Sequence, residues 1–413
     1  MLPLSCPPLT RAATSDLAHL LCIGGEDHDL RIPFLLALRK CGFEITAAGT
    51  APPEAFSKVG LAYRPFHFQR FVDPWADWTA VKALADIVAD VRPHIVQSFD
   101  TKPALLTPFA TRRAGGALVV RTINGMGWLY SSRSPTALML RLAYRILHRV
   151  AARSTDTTIF QNRVDQSFFA RHGMAGEQES RLIPGSGVDI EGFDRAVASG
   201  SSSEELRTQL GLGEAQVVVT VTRLTRQKGI PTLLEAAALV HRLRPGVRFL
   251  LIGPQQSEGT FAVSQEELDR HRPYVMPLGH RTDVPSLLKL ADVFAFPTEY
   301  REGIPRVLLE AALAGVPIVT TEMPGCSDVV RDGWSGLTVA PCSPRLLADR
   351  IFRLLDDRYA AQVMAARAAD LVRREFGLQL TVSRYATLYN ELLERQPRSK
   401  PRLDASGLAR NER

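Results

Sequence analysis

The sequence predicts an α/β protein in which two doubly wound, Rossmann-like domains face each other across a cleft. The chain has 413 residues, which is long enough for two or three domains. Short apolar runs rich in Val, Ile, Thr and Phe alternate with segments of helical period, as is typical of a parallel sheet covered by helices. The alternation occurs twice, on either side of a Ser/Gly-rich stretch at 196–205 that we interpret as a surface linker.

The first series of elements occupies the N-terminal half. Its first strand is predicted at 17–25, where it ends in a glycine turn, and a helix follows at 30–41. Further strands are predicted at 43–49, 94–99, 117–123 and 155–160. We assign this half to a domain of residues 1–195.

The second series begins near Val217 and belongs to an expected C-terminal domain of residues 196–378. Its strands are predicted at 217–224, 247–253, 274–279, 293–298 and 317–321, and its helices at 231–243, 284–291 and 305–314. Ligands of open α/β sheets bind beyond the carboxyl ends of the strands, so the interdomain cleft is the expected site. The basic, polar tail at 396–413 is expected to be disordered.

Composition and charge exclude several classes of protein. With 45% hydrophobic and 23% charged residues, the chain has an ordinary globular composition. Its net charge of +7 comes from residues 1–195, with 22 Lys and Arg against 18 Asp and Glu, and from the tail. This distribution argues against a nucleic-acid binder and for a local anionic partner. Since no apolar run approaches the ~20 residues of a membrane span, we expect a cytoplasmic enzyme or one on the inner face of the cytoplasmic membrane.

The first motif that carries chemistry is VTRLTRQKGI at 221–230. Arg223 and Lys228 follow a predicted strand and precede a helix with Pro231 in its first turn. Two cations at the carboxyl end of a strand suit a diphosphate, because Arg binds phosphate oxygens bidentately and Lys acts as a point charge. The alternative interpretation is a solvated basic loop.

The second motif is PTEYREGIPRVLLEAALAG at 297–315, which places Glu302 and Glu310 in an E-x7-E spacing. The helix is expected to start near Ile304 and Pro305, so its free N–H groups would favour a phosphate or sugar oxygen. Gly303 would let the backbone approach a ligand closely. Glu302 would then accept hydrogen bonds from sugar hydroxyls and Glu310 from ribose hydroxyls. The alternative is an ordinary capping role at the helix start.

Together, these motifs resemble the retaining glycosyltransferases of family 4, which have the GT-B fold. The order of the two motifs and their separation of about 80 residues fit, as do the segments at 184–189, 278–298 and 324–339. The segments TKPALLTPFATRRAG (101–115) and RTINGMG (121–127) are similar to the bacterial polysaccharide branch of the family. The resemblance covers about residues 17–395.

The resemblance implies hexosyl or N-acetylhexosaminyl transfer from a nucleotide-sugar, preferably a UDP-sugar, to a polysaccharide or lipid-linked glycan intermediate of the cell envelope. Arg223 and Lys228 would bind the donor diphosphate, Glu310 the ribose and Glu302 the donor sugar. Gly303, Ile304 and Pro305 match the loop whose amides meet the sugar and phosphate. No cofactor or metal is expected, because cations and helix dipoles would offset the leaving-group charge. The N-terminal domain would bind the acceptor, and a last helix at about 379–395 would pack back on it.

The N-terminal domain departs from the family at two positions. Many relatives carry a His where this chain has Gln97 and Asn124, and neither of these side chains can act as a base. Asp100, Lys102 and Asn124 are candidates for acceptor contacts, and a surface role is the alternative. Gly24 and Gly25 follow the first strand and are expected to face the donor. Asp27-x-Asp29 resembles a metal-binding DxD motif, which we interpret as coincidental.

A basic segment without Asp or Glu runs from Thr101 to Thr155. Within it, residues 135–154 form a predicted amphipathic helix that carries Arg141, Arg145, Arg149 and Arg153 on one stripe and Leu138, Leu140, Leu142, Ile146 and Val150 as apolar surface. We predict that this segment lies on an anionic membrane surface or attracts a lipid diphosphate, with Trp128 and Tyr130 at the headgroup boundary. The alternative is a core-packing helix with a solvated basic face.

Two other functions remain possible interpretations of the sequence. One is a sugar-nucleotide epimerase of the same fold, which would need acidic and His groups around the sugar. The other is a non-catalytic sugar-nucleotide-binding subunit, against which the retention of both motifs argues. The sequence identifies neither the donor sugar, the acceptor, the linkage nor the oligomeric state.

Overall fold

The structure is a computed structural model that describes residues 17–25, 27–68, 73–132, 134–175, 180–185, 187–255 and 261–395. The tail at 396–413, expected to be disordered, lies outside the described residues. Within them, each half of the chain contains one parallel sheet with helices packed on it. The predicted fold class is therefore confirmed.

The first sheet has the strand order β3-β2-β1-β4-β5-β6-β7. Its strands are β1 (Ala18–Gly24), β2 (Phe43–Gly49), β3 (Ala62–Pro65), β4 (Ile95–Ser98), β5 (Leu118–Ile123), β6 (Thr157–Phe160) and β7 (Ser180–Leu182). Its helices are α1 (Ile32–Lys40), α2 (Pro53–Ser57), α3 (Pro74–Val91), α4 (Thr101–Ala114), α5 (Gly127–Ser131), α6 (Pro135–Ala152) and α7 (Arg163–Arg171). The reversal of strand order at β1 and β4 puts the ends of these two strands at the switch point of the sheet, where open α/β sheets bind ligands.

The second sheet has the order β10-β9-β8-β11-β12-β13. Its strands are β8 (Gln216–Val221), β9 (Val247–Ile252), β10 (Val275–Gly279), β11 (Val293–Phe296), β12 (Ile318–Thr321) and β13 (Leu337–Val339). The helices of this half are α8 (Ile190–Ser199), α9 (Ser203–Gln209), α10 (Ile230–Leu243), α11 (Gln265–Asp269), α12 (Val284–Leu290), α13 (Arg306–Leu313), α14 (Cys326–Val329), α15 (Pro344–Asp356) and α16 (Arg358–Glu375). Here the switch point lies between β8 and β11. Helix α17 (Leu378–Arg395) follows α16 in the chain.

The stretch at 196–205, expected as a linker, is mostly helical. Its first residues continue α8, and Ser202 caps α9 through a capping box with Glu205. Helix α8 packs on α12 and α13, and α9 packs on α12, so both helices cover the second sheet. The expected boundary between residues 195 and 196 therefore falls inside α8. The sequence pattern does not predict these helices because the small residues of the stretch are typical of loops.

The chain passes between the two halves at two adjacent points. The Val188 N–H donates to the Phe376 carbonyl, and the Leu378 N–H donates to the Val188 carbonyl, both at 2.9 Å. After this crossing, α17 packs against α1 and buries Val382, Tyr385 and Tyr389 in the core of the first sheet. Helix α17, which follows the second half in the chain, thus completes the N-terminal core.

Candidate active site between the two sheets

The basic loop that follows β8 lies at the switch point of the second sheet. Arg223 is half-buried, and Lys228, at the end of a short 3₁₀ turn, is only 9% exposed. Gly229 has a φ of 72°, and a Cβ at this position would lie 1.8 Å from the Pro297 carbonyl oxygen. Only glycine permits this approach, which brings Lys228 against the segment after β11.

Lys228 forms an ion pair with Glu302, 74 positions later in the chain. The two side chains are 11% and 16% exposed, and the ammonium also lies 4.9 Å from the centre of the Tyr300 ring. Thr298 Oγ1 is 3.4 Å from the same Glu302 oxygen. The two motifs found in the sequence therefore meet in space. The ion pair of Lys228 and Glu302 is mostly buried and lies beyond the carboxyl ends of β8 and β11.

Glu310 lies on α13, the helix that follows the Glu302 loop, and it has a different partner from Glu302. Arg306 Nε donates to Glu310 Oε1 at 2.9 Å, one turn earlier on α13. Burial raises the pKa of Glu310, and the Arg306 guanidinium opposes the shift. Arg306 Nη1 also lies 3.4 Å from the Leu30 carbonyl oxygen of the first half. The sequence analysis missed Arg306, although its i, i+4 spacing from Glu310 was a usable signal.

The loop at Gly303, Ile304 and Pro305 is buried, and helix α13 begins at Arg306 with Pro305 as its N-cap. The Ile304 N–H donates to Gln161 Oε1 of the first half at 3.0 Å. The amide that the resemblance assigns to a phosphate or sugar oxygen is therefore bonded to Gln161 in this structure, and its role at the donor stays a prediction. A side chain that sequence reasoning missed, Gln161, occupies the amide instead.

On the opposite side of the cleft, Asp100 is the centre of a polar network. Its carboxylate accepts hydrogen bonds from the Gly25 N–H at 3.0 Å, Arg31 Nη2 at 2.6 Å and Asn124 Nδ2 at 2.9 Å. Burial opposes ionisation of Asp100, but the Arg31 charge and these hydrogen bonds hold its pKa below the ordinary value. Asp100 also has a φ of 70°, which is rare for a residue with a side chain.

The His28 ring packs directly against the glycine turn after β1. A Cβ on Gly24 would lie 2.1 Å from His28 Nδ1, so glycine is required for this packing. His28 is fully buried, and burial together with the Arg31 charge lowers its pKa to about 3. The turn thus joins Gly25 to Asp100 while a neutral His28 supports it.

Two other residues of the first half lie apart from this network. Lys102 Nζ is 2.6 Å from Asp77 Oδ1, an ion pair that joins α4 to α3. Gln97 is fully buried, donates to Thr122 Oγ1 at 3.0 Å and accepts a hydrogen bond from the Tyr389 hydroxyl at 2.9 Å. Gln97 is therefore a core residue that holds α17.

The outer face of helix α6 is more apolar than the basic face that the sequence predicts. Arg141 donates to the Leu129 and Ser132 carbonyls, Arg145 lies near the Tyr130 hydroxyl, and Arg149 donates to the His172 carbonyl. Six apolar side chains face outward, 38–72% exposed, and they are Leu138, Met139, Leu142, Ile146, Leu147 and Val150. Arg149 and Arg153, near the end of the helix, are exposed as well. The physical reason is that the long arginines reach backbone carbonyls and aromatic rings, which satisfies their donors.

The described residues contain neither a cluster of metal ligands nor a membrane-spanning helix. In that part of the chain, which includes Asp27 and Asp29, no three His, Cys, Asp or Glu side chains are grouped as metal ligands. None of the helices described is both long and apolar enough to span a bilayer.

The chain is similar to known glycosyltransferases. Residues 202–371 match the family model described as glycosyl transferases group 1. A GDP-mannose-dependent alpha-(1-6)-phosphatidylinositol monomannoside mannosyltransferase of Mycobacterium tuberculosis is 31% identical over 66% of this chain and 69% of its own length. A UDP-Gal:alpha-D-GlcNAc-diphosphoundecaprenol alpha-1,3-galactosyltransferase of Escherichia coli is 25% identical over 77% of this chain and 80% of its own.

Other matches extend over nearly the whole chain. The N,N'-diacetylbacillosaminyl-diphospho-undecaprenol alpha-1,3-N-acetylgalactosaminyltransferase of Campylobacter jejuni is 23% identical over 90% of this chain and 97% of its own. The crystal structure of Anabaena HepE in complex with UDP has a TM-score of 0.73 and 20% identity, covering 91% of this chain and all of HepE. At this identity the structural match supports the fold alone. The named relatives are transferases, which argues against the epimerase interpretation.

Proposed function

This chain belongs to the group 1 glycosyltransferases and is itself a glycosyltransferase, and we propose that it transfers a sugar with retention of configuration from a UDP-sugar to a lipid-linked or polysaccharide glycan intermediate. Two relatives that align with most of the chain carry diphosphoundecaprenol-linked acceptors in their names. The relative that is 31% identical uses GDP-mannose, so the proposal of uridine is decided by a direct comparison of donors.

The observation that carries this proposal is the buried pair of Lys228 and Glu302 at the switch point of the second sheet. We propose that the donor diphosphate takes the place of Glu302 beside Lys228, with Arg223 of the same loop as the second cation. Glu302 would then accept a hydrogen bond from a donor-sugar hydroxyl. As the bond between the sugar and the diphosphate breaks, negative charge grows on the leaving group, and fixed cations in a water-poor site stabilise it. Such a site needs no metal for this task.

The remaining donor contacts follow from the same loop. We propose that Glu310 accepts hydrogen bonds from the ribose, which requires Arg306 to release one carboxylate oxygen. The Gly303, Ile304 and Pro305 backbone would border the sugar, and Gly24 and Gly25 would face it from the first half. The Ile304 amide reaches a ligand only if Gln161 moves.

For the acceptor, we propose Asp100 and Asn124 at the switch point of the first sheet. Their hydrogen bonds to each other, to Arg31 and to Gly25 fix the carboxylate at the cleft end of β4. An ionised carboxylate in this position would accept a hydrogen bond from the acceptor hydroxyl. The pairing of Lys102 with Asp77 makes Lys102 the weaker candidate of the three residues named from the sequence.

We also propose that the enzyme meets its acceptor at an anionic membrane surface through the segment at 101–155. The support comes from the apolar outer face of α6 rather than from its arginine stripe. Arg112 and Arg113 on the neighbouring α4 are exposed, and the segment contains no acidic residue. Helices α3, α4 and α6 are neighbours in one layer, and α3 exposes Trp75 and Trp78. Apolar and aromatic side chains with nearby cations are the composition of an interfacial surface.

The test of the catalytic proposal is a donor panel of UDP-glucose, UDP-galactose, UDP-N-acetylgalactosamine and GDP-mannose with GlcNAc-diphosphoundecaprenol as acceptor. We expect UDP release with at least one UDP-sugar and a product of the same anomeric configuration as the donor by NMR. Lys228→Ala should lower kcat/KM by about 10²–10³-fold, the usual effect of losing one charge-stabilising donor. The matched control is Arg226→Ala, since Arg226 is an exposed cation of the same loop that pairs with Glu267.

Two results would contradict the proposal. One is the absence of nucleoside diphosphate release from every donor. The other is equal kcat/KM for Lys228→Ala and Arg226→Ala. Release of GDP but no UDP would retain the transferase and overturn the choice of uridine.

A further inference from the structure

The segment at 300–304, between β11 and α13, belongs to the second half but is bonded to the first. The Gly127 N–H donates to the Arg301 carbonyl at 3.2 Å, and the Arg301 N–H donates to Ser131 Oγ at 2.8 Å. Asn162 Nδ2 lies 3.4 Å from the Glu302 carbonyl oxygen, and the Ile304 N–H donates to Gln161. Three residues of this segment are thus held by four hydrogen bonds from the other half.

Glycines on both sides make this contact close. A Cβ on Gly125 would lie 2.5 Å from the Arg301 carbonyl oxygen, and one on Gly127 would lie 2.7 Å from the Tyr300 hydroxyl. A Cβ on Gly303 would lie 2.0 Å from Gln161 Oε1. The backbone of the segment therefore fits into the first half at a distance that side chains would prevent.

An ion pair joins the two halves at the same place. Arg301 Nη2 is 2.8 Å from Asp165 Oδ1, and the two side chains are 17% and 0% exposed. Asn162 caps α7 and also donates to Asp165 at 3.0 Å, which fixes the carboxylate. Burial raises the pKa of Asp165, and Arg301 is the first of the groups that oppose the shift. A buried carboxylate in this environment needs its cation, and the cation comes from the other half.

We propose that Arg301 and Asp165 are positioning residues whose ion pair docks the 300–304 segment on the first half and so holds the Glu302 backbone in place at the proposed donor site. Glu302 follows Arg301 directly, so the docking of Arg301 also fixes the Glu302 backbone, whose carbonyl oxygen lies 3.4 Å from Asn162 Nδ2. When the pair forms, the donor-binding carboxylate and the acceptor-binding half take up one relative position. This inference rests on the proposed role of Glu302, but the docking itself can be measured without any substrate.

The pair is expected to affect turnover more than donor binding. The diphosphate cations lie on the second half, so nucleotide affinity depends little on the docking of the segment. Alignment of donor and acceptor depends on it fully, because the acceptor side belongs to the first half. Loss of the pair should therefore lower kcat and leave the dissociation constant of UDP nearly unchanged.

The experiment compares Arg301→Met, Asp165→Asn and the double variant in the full chain. Arg358→Met is the control, because Arg358 pairs with Asp292 within the second half and the pair does not join the two sheets. Hydrogen exchange of the 300–304 segment is measured first, without ligand. We expect faster exchange in each single variant and unchanged exchange in the control. The kcat should fall by about tenfold or more in each single variant, in line with the large effect of breaking one buried pair.

The double variant and a conservative variant separate positioning from general destabilisation. Arg301→Met/Asp165→Asn should be no worse than the poorer single variant, because both changes remove one interaction. Arg301→Lys should recover part of the kcat. Unchanged exchange at 300–304, additive losses, or a kcat within about threefold of wild type for Arg301→Met would overturn the inference. If Lys228→Ala abolishes transfer while Arg301→Met does not, the proposed function stands and only this inference fails.

Discussion

At the scale of single residues, buried histidines and aspartates support the cleft by their charge state. His28 lies beneath the glycine turn after β1 with its Nε2 3.1 Å from the Cys22 carbonyl oxygen, so the neutral ring donates there. Asp100 remains ionised next to it, since Arg31, Gly25 and Asn124 supply its hydrogen bonds. Both residues lie near the end of β1 or β4, and the turn depends on keeping one neutral and the other charged.

The pH dependence of folding is expected to report on His28. Its pKa is lowered to about 3 in the folded chain, whereas an unfolded histidine has a pKa near 6.5. Between these values the unfolded state binds a proton that the folded state does not, so the free energy of unfolding falls as the pH is lowered. The slope from this one group is at most about 1.4 kcal/mol per pH unit.

This prediction is measured by urea unfolding between pH 7 and pH 5. His28→Gln should reduce the pH slope, while His67→Gln, which alters an exposed histidine, should not. Identical slopes for wild type and His28→Gln would show that His28 does not supply the effect. His148, also buried and with a pKa well below its ordinary value, contributes to the wild-type slope in the same direction.

Residue types and spacing are sufficient to predict which two residues of the proposed donor side lie next to each other. Lys228 and Glu302 were named from two motifs, and they form an ion pair in the structure. The sequence does not predict three other contacts of the site. Arg31 and Gln161 bond to residues far away in the sequence, Asp100 and Ile304, and Arg306 bonds to Glu310, which already has a predicted role. Of these, only Arg306 had a local signal, its single helical turn from Glu310.

At the scale of elements, α6 differs most from its prediction. The helix buries Ala137, Tyr144, His148, Ala151 and Ala152, a narrow face of small and aromatic residues. Arg141, Arg145 and Arg149 bond to the protein, whereas Leu138, Leu142 and Leu147 are exposed. An amphipathic pattern defines two faces but does not say which face is buried, because that depends on the partners the neighbouring elements provide.

The outward leucines predict membrane binding that depends on apolar burial. Leu138→Ser/Leu142→Ser should lower co-sedimentation with phosphatidylglycerol vesicles by about tenfold or more, since burying one leucine side chain contributes roughly 1.5–3 kcal/mol. The matched control is Leu243→Ser, because Leu243 is an exposed leucine on α10 of the second half. The pure phosphatidylcholine vesicles should retain less wild-type protein, because they lack the attraction for Arg112 and Arg113.

Equal recovery of the double variant and Leu243→Ser would contradict the membrane proposal. So would equal binding of wild type to neutral and anionic vesicles, or no binding to either. None of these outcomes bears on the proposed donor site, which lies in the other half.

At the scale of the whole molecule, the two halves are joined by α17 as well as by the cleft contacts. The Tyr389 hydroxyl donates to Gln97, and the Tyr385 hydroxyl lies 3.0 Å from Thr122 Oγ1, both inside the first core. Arg181 Nη2 and Glu391 Oε2 form a further pair at 3.0 Å. The stability of the N-terminal half therefore depends on α17, which follows the second half in the chain.

Removal of one hydroxyl from α17 is expected to destabilise the N-terminal half. Tyr389→Phe leaves the buried Gln97 oxygen without this donor and should lower the free energy of unfolding by about 1–3 kcal/mol. Thr387→Ala, on the exposed face of the same helix, is the control. Urea unfolding monitored by circular dichroism measures both. An equal loss in the two variants, or no loss in Tyr389→Phe, would contradict the structural role assigned to Gln97.

The sequence by itself determined the fold class and the two motifs that meet in the proposed donor site, because both depend on local patterns. Alternating apolar strands and helices specify two parallel sheets, and the ends of those strands bring Lys228 and Glu302 together. Only the tertiary structure decided which face of α6 points outward, that α17 completes the first core, and that the 300–304 segment docks on residues 124–165. These three features are contacts between distant parts of the chain, and periodicity carries no information about which distant surface a face will meet.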